Sequence, residues 1–296
     1  MLTPQQRTLC QPGLKRLAHP VLPLARLAGM LFLTGPFADL ESLLAELTEP
    51  VETAGIRYEQ PGLELLPYLE AMRPFERLKH PRPPSRVIFA GDLQPVDPFT
   101  AIDSWVAQNV LTRELEEINS LLCGPCGCTL CCTGPDRGQQ QEFFEIPLSA
   151  REAALFDLPR VDNDMSRATS AAADLPLIIT DIPFYQRPAA LYHWRQGWSM
   201  ILPRLSICPN LDGASGGCRI YPSRPEVCRR PQIFPYMLER TPDHDREFDG
   251  RMLTAFLIRN KMLAIWDCPY VKQFQTEIGV YAQMCGMEPV FKENKA

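Results

Sequence analysis

Apolar residues recur at spacings of three and four in several stretches of the chain, which is the spacing of one face of an α-helix. The pattern predicts a short helix over residues 38–47 and a long helix that begins at Thr100, where Asp103 completes a capping box. The apolar face of the long helix comprises Ile102, Trp105, Val106, Val110, Leu111, Leu115, Ile118 and Leu122. This helix leads directly to Cys123, where glycine and proline follow.

The same spacing predicts two further helices in the C-terminal part of the chain. One begins at Thr241 and Pro242, because proline is favoured in the first helical turn. Its apolar face comprises Met252, Leu253, Phe256, Met262, Leu263 and Trp266. The other covers residues 271–285 and buries Phe274, Ile278 and Tyr281.

Short apolar runs between these helices predict strands. They cover residues 87–90, 142–148 and 175–182. A stiff, proline-rich connector at residues 81–85 precedes the first strand, and a capping box at Ser149 and Glu152 opens a helix that runs through Phe156. Since helices dominate this pattern, the predicted fold class is α+β and mainly helical.

Composition divides the chain into two parts. With 296 residues, of which 45% are hydrophobic, it has enough apolar material for one large domain or two modest ones. Residues 1–115 hold one cysteine and many leucines and prolines, and are predicted to be a helical region of unknown role. Residues 116–296 hold the other ten cysteines, and are predicted to be a cysteine-rich metal-binding domain with C-terminal helices.

The net charge and the longest apolar run indicate whether the protein binds nucleic acid or spans a membrane. A net charge of −5 disfavours a nucleic-acid binder that works by bulk charge. The most apolar stretch, residues 21–33, contains Arg26 and is shorter than the roughly 20 residues that span a membrane. The first residues are polar and lack a signal region. We therefore expect a cytoplasmic protein with no membrane segment, and a protein substrate or redox partner.

The eleven cysteines carry the most information about function. Five lie within ten residues and three more follow at intervals of ten: Cys123, Cys126, Cys128, Cys131 and Cys132, then Cys208, Cys218 and Cys228. An odd cysteine count in a long chain without a signal peptide is unlike a secreted disulfide scaffold. Clustered thiols are typical metal ligands, so we predict that these eight bind metal. Redox disulfide chemistry and inert buried thiols are the alternatives.

Neighbouring residues support a thiolate site. Because side chains of adjacent residues point apart in helices and strands, Cys131 and Cys132 are expected to serve two metals, or inner and outer positions of one centre. A glycine-rich stretch between Cys208 and Cys218 permits a sharp turn. Four arginines surround the second group of cysteines, where positive charge lowers thiol pKa values; ordinary surface ion pairs are the alternative. These are Arg219, Arg224, Arg229 and Arg230.

Residues 120–232 resemble the CxxCxxCC (YkgJ-like) family of zinc- or iron-chelating domains, which includes flagellin lysine methylases. The matching residues are Cys123, Cys126, Gly127, Cys131 and Cys132 in the first block, and Cys208, Pro209, Leu211, Gly217, Cys218, Ile220, Tyr221, Arg224, Pro225, Cys228 and Arg229 in the second. The first block departs from the family pattern, because three residues separate its two halves where the family has one. Which of Cys123, Cys126 and Cys128 bind metal therefore stays open.

The resemblance implies one or two metal centres and, for the methylase members, a 4Fe-4S cluster used with S-adenosylmethionine. Tyr221, Arg224 and Arg229 are the candidate cofactor-binding residues. The chain has no glycine-rich loop of the Rossmann type, so a role in methyl transfer rests on the resemblance alone.

The spacing of the cysteines favours an iron–sulfur cluster over zinc, with non-haem iron as a third choice. Structural zinc sites use closely spaced cysteine pairs, whereas the second block has its cysteines ten apart, and a cysteine followed by proline recurs in ferredoxins. The expected function is a cysteine-ligated iron–sulfur protein, with an enzyme of the methyl-transfer or redox type as one form of it. The alternative is a zinc- or iron-chelating structural or interaction module without catalysis.

Overall fold

The computed structural model describes residues 2–80, 83–230, 232–248 and 250–292. Pro81 and Arg82 of the predicted connector lie outside this range. Helices cover 41% of the chain and strands 25%, so the fold is mixed α+β. The prediction of a mainly helical fold is wrong, because only one helix is long and the C-terminal part contains a long strand hairpin.

The described residues form twelve α-helices and twelve strands. The helices are α1 (Pro4–Leu9), α2 (Gln11–Leu17), α3 (Leu22–Thr34), α4 (Leu40–Glu46), α5 (Pro61–Leu65), α6 (Leu69–Met72), α7 (Glu76–Lys79), α8 (Pro98–Cys126), α9 (Ala150–Ala153), α10 (Asp164–Ala168), α11 (Pro269–Gln273) and α12 (Gln275–Met284). The strands are β1 (Val51–Thr53), β2 (Ile56–Tyr58), β3 (Arg86–Phe89), β4 (Phe143–Leu148), β5 (Arg160–Val161), β6 (Ile178–Ile179), β7 (Ile182–Pro183), β8 (Ala190–Trp194), β9 (Gly197–Pro203), β10 (Ile233–Phe248), β11 (Arg251–Ile265) and β12 (Glu288–Lys292).

The chain divides into two compact units. Unit 1 comprises Thr3–Leu122 and Gln232–Lys292, and unit 2 comprises Cys123–Pro231. Unit 1 therefore takes its residues from both ends of the chain. The boundary between residues 115 and 116, which was inferred from composition, stays a prediction about functional domains.

Helix α8 forms the centre of unit 1. The structure confirms most of its predicted apolar face, since the six residues of that face from Val106 to Leu122 are buried. The helix begins at Pro98 rather than Thr100, because the Asp97 carboxylate accepts hydrogen bonds from the backbone N–H groups of Phe99 and Thr100. Asp97 is therefore the residue that caps this helix.

The polar side chains of α8 hold strand β10. The Asn119 amide donates to the carbonyl of Ile233 at 2.7 Å and accepts from the backbone N–H groups of Gln232 and Ile233. Gln108 accepts from the N–H groups of Met237 and Leu238, where the register of β10 shifts. Strand and helix are thus joined by hydrogen bonds that satisfy backbone groups of Gln232, Ile233, Met237 and Leu238.

The sheet of unit 1 is built around β11. On one side β11 pairs antiparallel with β10, and on the other side it pairs in parallel with both β3 and β12. Strand β3 pairs with residues 254–257 of β11, and β12 pairs with residues 261–265. The predicted strand at residues 87–90 is confirmed as β3.

The helix predicted from Thr241 is wrong, because residues 233–265 form the β10–β11 hairpin. Its apolar residues also fit a period of two: Leu253 and Ala255 face one side and pack against Val87 and Phe89 of β3, whereas Met252 is exposed. Pro242 lies at a register shift of an edge strand, where a missing N–H is tolerated.

Three smaller elements differ from their predictions. Residues 271–285 form two helices, α11 and α12, which meet at Phe274. The capping box at Ser149 is confirmed, but α9 ends at Ala153. Residues 175–182 contribute to a hairpin of two-residue strands, β6 and β7, in place of one strand.

Unit 2 contains a four-stranded sheet in the order β4-β9-β8-β5. The predicted strand at residues 142–148 is confirmed as β4. Successive side chains alternate between the two faces of the sheet. One face carries Tyr192 and Trp194 of β8, and both rings pack against Phe184. The other face carries Ile146 and Met200 and packs against the cysteine-containing loops.

No single helix in the described part of the chain has both the length and the apolar character needed to cross a membrane. Helices α2 and α3, bent by 40° at their junction, reach that threshold together on length and composition alone.

Candidate metal centre

Seven of the eight predicted ligands line one cavity of about 80 Å³ in unit 2. They are Cys123, Cys128, Cys131, Cys132, Cys208, Cys218 and Cys228. Since one water molecule needs roughly 10–15 Å³, the cavity is several times larger than a single water site. Among the described residues that line it, Arg224 is the only charged side chain.

The first block of cysteines follows directly from the end of α8. Cys123 and Cys126 lie in its last turn, and Gly127 leaves the helix with a φ of +62°. The Sγ atoms of Cys126 and Cys128 lie within 4.8 Å of each other. The structure therefore brings cysteines of this block close enough together to bind a metal.

Cys131 and Cys132 lie side by side, with their Sγ atoms 3.7 Å apart. Both line the cavity, so the expectation that their side chains point apart is wrong. That expectation holds for helices and strands, whereas these residues belong to a turn. The pair can therefore present two thiols to a single centre.

The second block is shaped by a tight turn between Cys208 and Cys218. Leu211 and Cys218 form a β-bridge, and Gly216 has a φ of +70°, which favours glycine. The Asp212 carboxylate accepts hydrogen bonds from the backbone N–H of Ser215 at 3.2 Å and from its hydroxyl at 2.5 Å. This turn brings two cysteines that are ten residues apart to the same cavity.

Backbone hydrogen bonds join the two cysteine blocks directly, without a metal. The N–H of Cys208 donates to the carbonyl of Cys132 at 2.8 Å, and the N–H of Gly134 donates to the carbonyl of Ser206 at 2.9 Å. A Cβ at Gly134 would lie 1.9 Å from the Pro203 carbonyl oxygen. Only glycine allows the first block to pass this close to the end of β9.

The β4–β9 sheet supplies the apolar wall of the cavity. Ile146 of β4, Met200 of β9 and Phe156 line the cavity and are buried. The Cys208 side chain belongs to the same buried cluster. Thiols in such surroundings are shielded from water, which strengthens electrostatic interactions at the centre.

Burial also sets the ionisation of the thiols. It raises the pKa of Cys123 to about 11 and that of Cys228 to about 12, and it raises the pKa of Cys208 as well. A hydrogen bond from Cys132 lowers the pKa of Cys131, and the same bond raises that of Cys132. Because metal ligation requires thiolates, binding of a metal here releases protons.

Arg224 opposes the pKa shifts that burial causes. Its side chain is only 7% exposed, and its guanidinium carbon lies 4.1 Å from the centre of the Tyr221 ring. Its charge lowers the pKa values of Cys123, Cys131 and Cys228. Arg224 and Tyr221 both line the cavity, so a buried positive charge is available to balance thiolates.

The remaining predicted residues lie away from the cavity lining. Cys126 is buried in α8, and Arg229 is not among the lining residues, although its buried Nε has no hydrogen-bond partner within the described residues. Cys10, Cys268 and Cys285 lie in unit 1 and are fully buried. None of the eleven cysteines, all of which are described, forms a disulfide.

The donor set fits a thiolate-ligated metal. Several soft sulfur donors, an apolar wall and a compensating arginine are the surroundings that zinc and iron–sulfur centres use. The cavity has more thiols than the four that one zinc ion takes. The cysteines could be found from the sequence, and the sequence Asp-Gly-Ala-Ser at 212–215 is a turn signal that could have identified Asp212. No local signal identifies Gly134 as a contact of β9.

No protein-family model matches this chain, and searches of curated proteins and of solved structures find no match either. The resemblance to the CxxCxxCC family therefore rests on the residues of the two blocks themselves.

Proposed function

We propose that this protein holds an iron–sulfur cluster in the cysteine-lined cavity of unit 2. The observation that carries the proposal is the convergence of seven cysteines, from two blocks about 80 residues apart, on one cavity. Thiolates are the ligands of such clusters. The size of the cavity supports a multi-atom centre, since about 80 Å³ exceeds the space of a single water several times over.

The protein's own residues define the surroundings of such a centre. The backbone bond from Cys208 to Cys132 fixes the distance between the two blocks, and Ile146 and Met200 exclude water from one side. Arg224 offsets part of the negative charge of the thiolates. When bound, an iron–sulfur cluster supplies one-electron transfer, and its reduction potential depends on net charge, hydrogen bonds to sulfur and exposure.

The first test is the metal and acid-labile sulfide content of the full chain, purified without oxygen. The proposal expects about four iron and four sulfide per chain and visible absorption that bleaches on reduction. Stoichiometric zinc without colour would contradict it.

Variants connect the metal to the cavity. Cys208→Ser and Cys218→Ser each remove a thiol that lines the cavity, and we expect both to lose most of the iron. Cys285→Ala is the matched control, because Cys285 is a buried cysteine of unit 1 outside the cavity. Retention of iron in both serine variants would show that the cluster is held elsewhere, and loss in all three would show that the iron does not depend specifically on the thiols of the cavity.

A single metal ion is the second candidate, and the pair Cys131 and Cys132 favours it. Thiolates around one tetrahedral zinc ion lie about 3.8 Å apart, given Zn–S bonds of about 2.3 Å, and the two Sγ atoms are 3.7 Å apart. In this form the metal fastens the loops and the protein acts as a structural or interaction module. Stoichiometric zinc that survives Cys285→Ala and is lost in Cys131→Ser would establish this form.

The third part of the proposal concerns the reaction. The resemblance to flagellin lysine methylases suggests methyl transfer with S-adenosylmethionine on a protein substrate. Tyr221 and Arg224, which line the cavity, are the candidate cofactor-binding residues that support this form. Titration of the iron-loaded protein with S-adenosylmethionine tests this directly. Unchanged spectra and no heat of binding would leave electron transfer as the function.

A further inference from the structure

We propose that a second cavity, in unit 1, binds a small amphiphilic carboxylate, a molecule with an apolar body and one anionic head. This goes beyond the metal function, since the cavity shares no residue with the cysteine site. Its volume is about 660 Å³, within the roughly 300–1,000 Å³ range of small-molecule sites. Strand β3 and the first two turns of α8 form much of its wall.

The body of the cavity is apolar. Ile88 of β3 and Ile102 and Trp105 of α8 line it together with several prolines. The Trp105 ring contacts Phe256 of β11 edge-on, with ring centres 5.4 Å apart. These residues offer a hydrocarbon or aromatic ligand a surface whose burial is favourable.

The charged side chains that line the cavity are both positive. Arg77 and Arg86 line it, and no aspartate or glutamate is among its described lining residues. Burial and the charge of Arg77 lower the pKa of Arg86. The guanidinium groups of Arg77 and Arg86 therefore repel each other, and an anion bound between them would offset this repulsion.

Arg86 is also held in place for an acceptor. Its guanidinium carbon lies over the Trp105 ring, 3.3 Å from the ring centre, and this contact restricts the position of the guanidinium. Its Nη1 is buried and has no hydrogen-bond partner within the described part of the chain. A buried donor of a charged group without an acceptor costs free energy, and a carboxylate oxygen is the acceptor that arginine pairs with best.

The experiment is calorimetric titration of the full chain with three probes of equal chain length: decanoate, decanol and decyltrimethylammonium. We expect decanoate to bind, decanol to bind at least tenfold more weakly, and the cation not to bind. Equal affinity for decanoate and decanol would contradict the preference for an anionic head group. Absence of decanoate binding would contradict the existence of the site.

Variants then separate the site from general surface charge. Arg86→Gln should weaken decanoate at least tenfold and leave decanol unchanged, and Arg77→Gln, an exposed position, should weaken it about threefold without affecting the fold. Arg57→Gln is the control, because Arg57 is exposed, pairs with Glu59 and does not line the cavity. If Arg86→Gln does not fold, the test rests on the Arg77→Gln variant. A decanoate affinity of Arg77→Gln equal to that of the unmodified chain would refute the proposal.

Discussion

The two units differ in what lies at their centres. In unit 1 the apolar face of α8 from Val106 to Leu122 is buried by the protein's own side chains, and Asn119 of the same helix is hydrogen-bonded to β10. In unit 2 the sheet packs against loops whose inward-facing groups are thiols around a cavity. We therefore expect unit 1 to be stable by packing, and unit 2 to depend on the metal that we propose for its cysteines.

The largest effect is expected from removing the metal. Structural thiolate sites contribute on the order of 10 kcal/mol of apparent binding free energy, which is comparable to the total stability of a domain. Chelation should therefore expose the amides of β9 and of Cys208 to hydrogen exchange, and leave those of Val110 and Leu111 protected. Mass spectrometry of exchanged peptides measures both regions at once. Protection in β9 that survives complete chelation would remove the contrast between the units.

The next effect concerns the polar bonds of unit 1. Asn119→Ala leaves two backbone N–H groups, one carbonyl and the Tyr270 hydroxyl without this partner, and should cost about 3–5 kcal/mol of unfolding free energy. Asn109→Ala on the same helix is the control, because its amide bonds only to the Trp105 carbonyl one turn away. Urea denaturation measures the difference. Equal losses for the two variants would mean that the Asn119 contacts contribute little.

The stability of unit 1 and the metal uptake of unit 2 are also expected to respond differently to pH. Glu114 is buried in unit 1, where it accepts hydrogen bonds from the Val21 N–H and the Tyr281 hydroxyl, and burial raises its pKa from 4.5 to about 7. Between these two values the folded chain keeps a proton that the unfolded chain releases, so the stability of unit 1 falls as pH rises from 4.5 to 7. The expected loss is about 3 kcal/mol.

Denaturation of Glu114→Gln across this pH range tests the assignment, because the amide cannot ionise. The slope of stability against pH should disappear in the variant. A slope that persists would assign it to other groups. Metal uptake by unit 2 should change in the opposite sense and increase with pH. The raised pKa values of Cys123 and Cys228 keep these thiols protonated at low pH, and metal binding has to release those protons.

The smallest effect is expected at the turn before Cys218. Asp212→Ala removes the acceptor for Ser215 and should slow metal uptake roughly fivefold, because an ordered turn is replaced by a more mobile one. Asp136→Ala is matched to it, since Asp136 caps a similar exposed turn through Gly138 and Gln139. Uptake that slows equally in both variants would indicate a general effect of loop charge.

The same contrast explains what could be predicted from the sequence. Helix α8 and strands β3 and β4 follow local patterns, and the cysteine spacing identified the seven thiols of the cavity. The prediction of a helix from Thr241 is wrong because the β10–β11 hairpin is stabilised by pairing with strands outside this segment. Of these, β3 lies about 170 residues earlier in the chain, and β12 follows β11 after two helices. The bond between Cys132 and Cys208 and the contact of Gly134 with Pro203 are equally non-local.

The pairing of β3 with β11 has a consequence for the order of events during synthesis. The partner of Arg86 is Thr254, which is made roughly 170 residues later. At ribosomal rates of about 5–20 residues per second, β3 waits on the order of ten to thirty seconds for its neighbour. The whole of unit 2 leaves the ribosome within that interval. The metal that we propose for its cysteines can therefore bind to a nascent chain in which unit 1 is still incomplete.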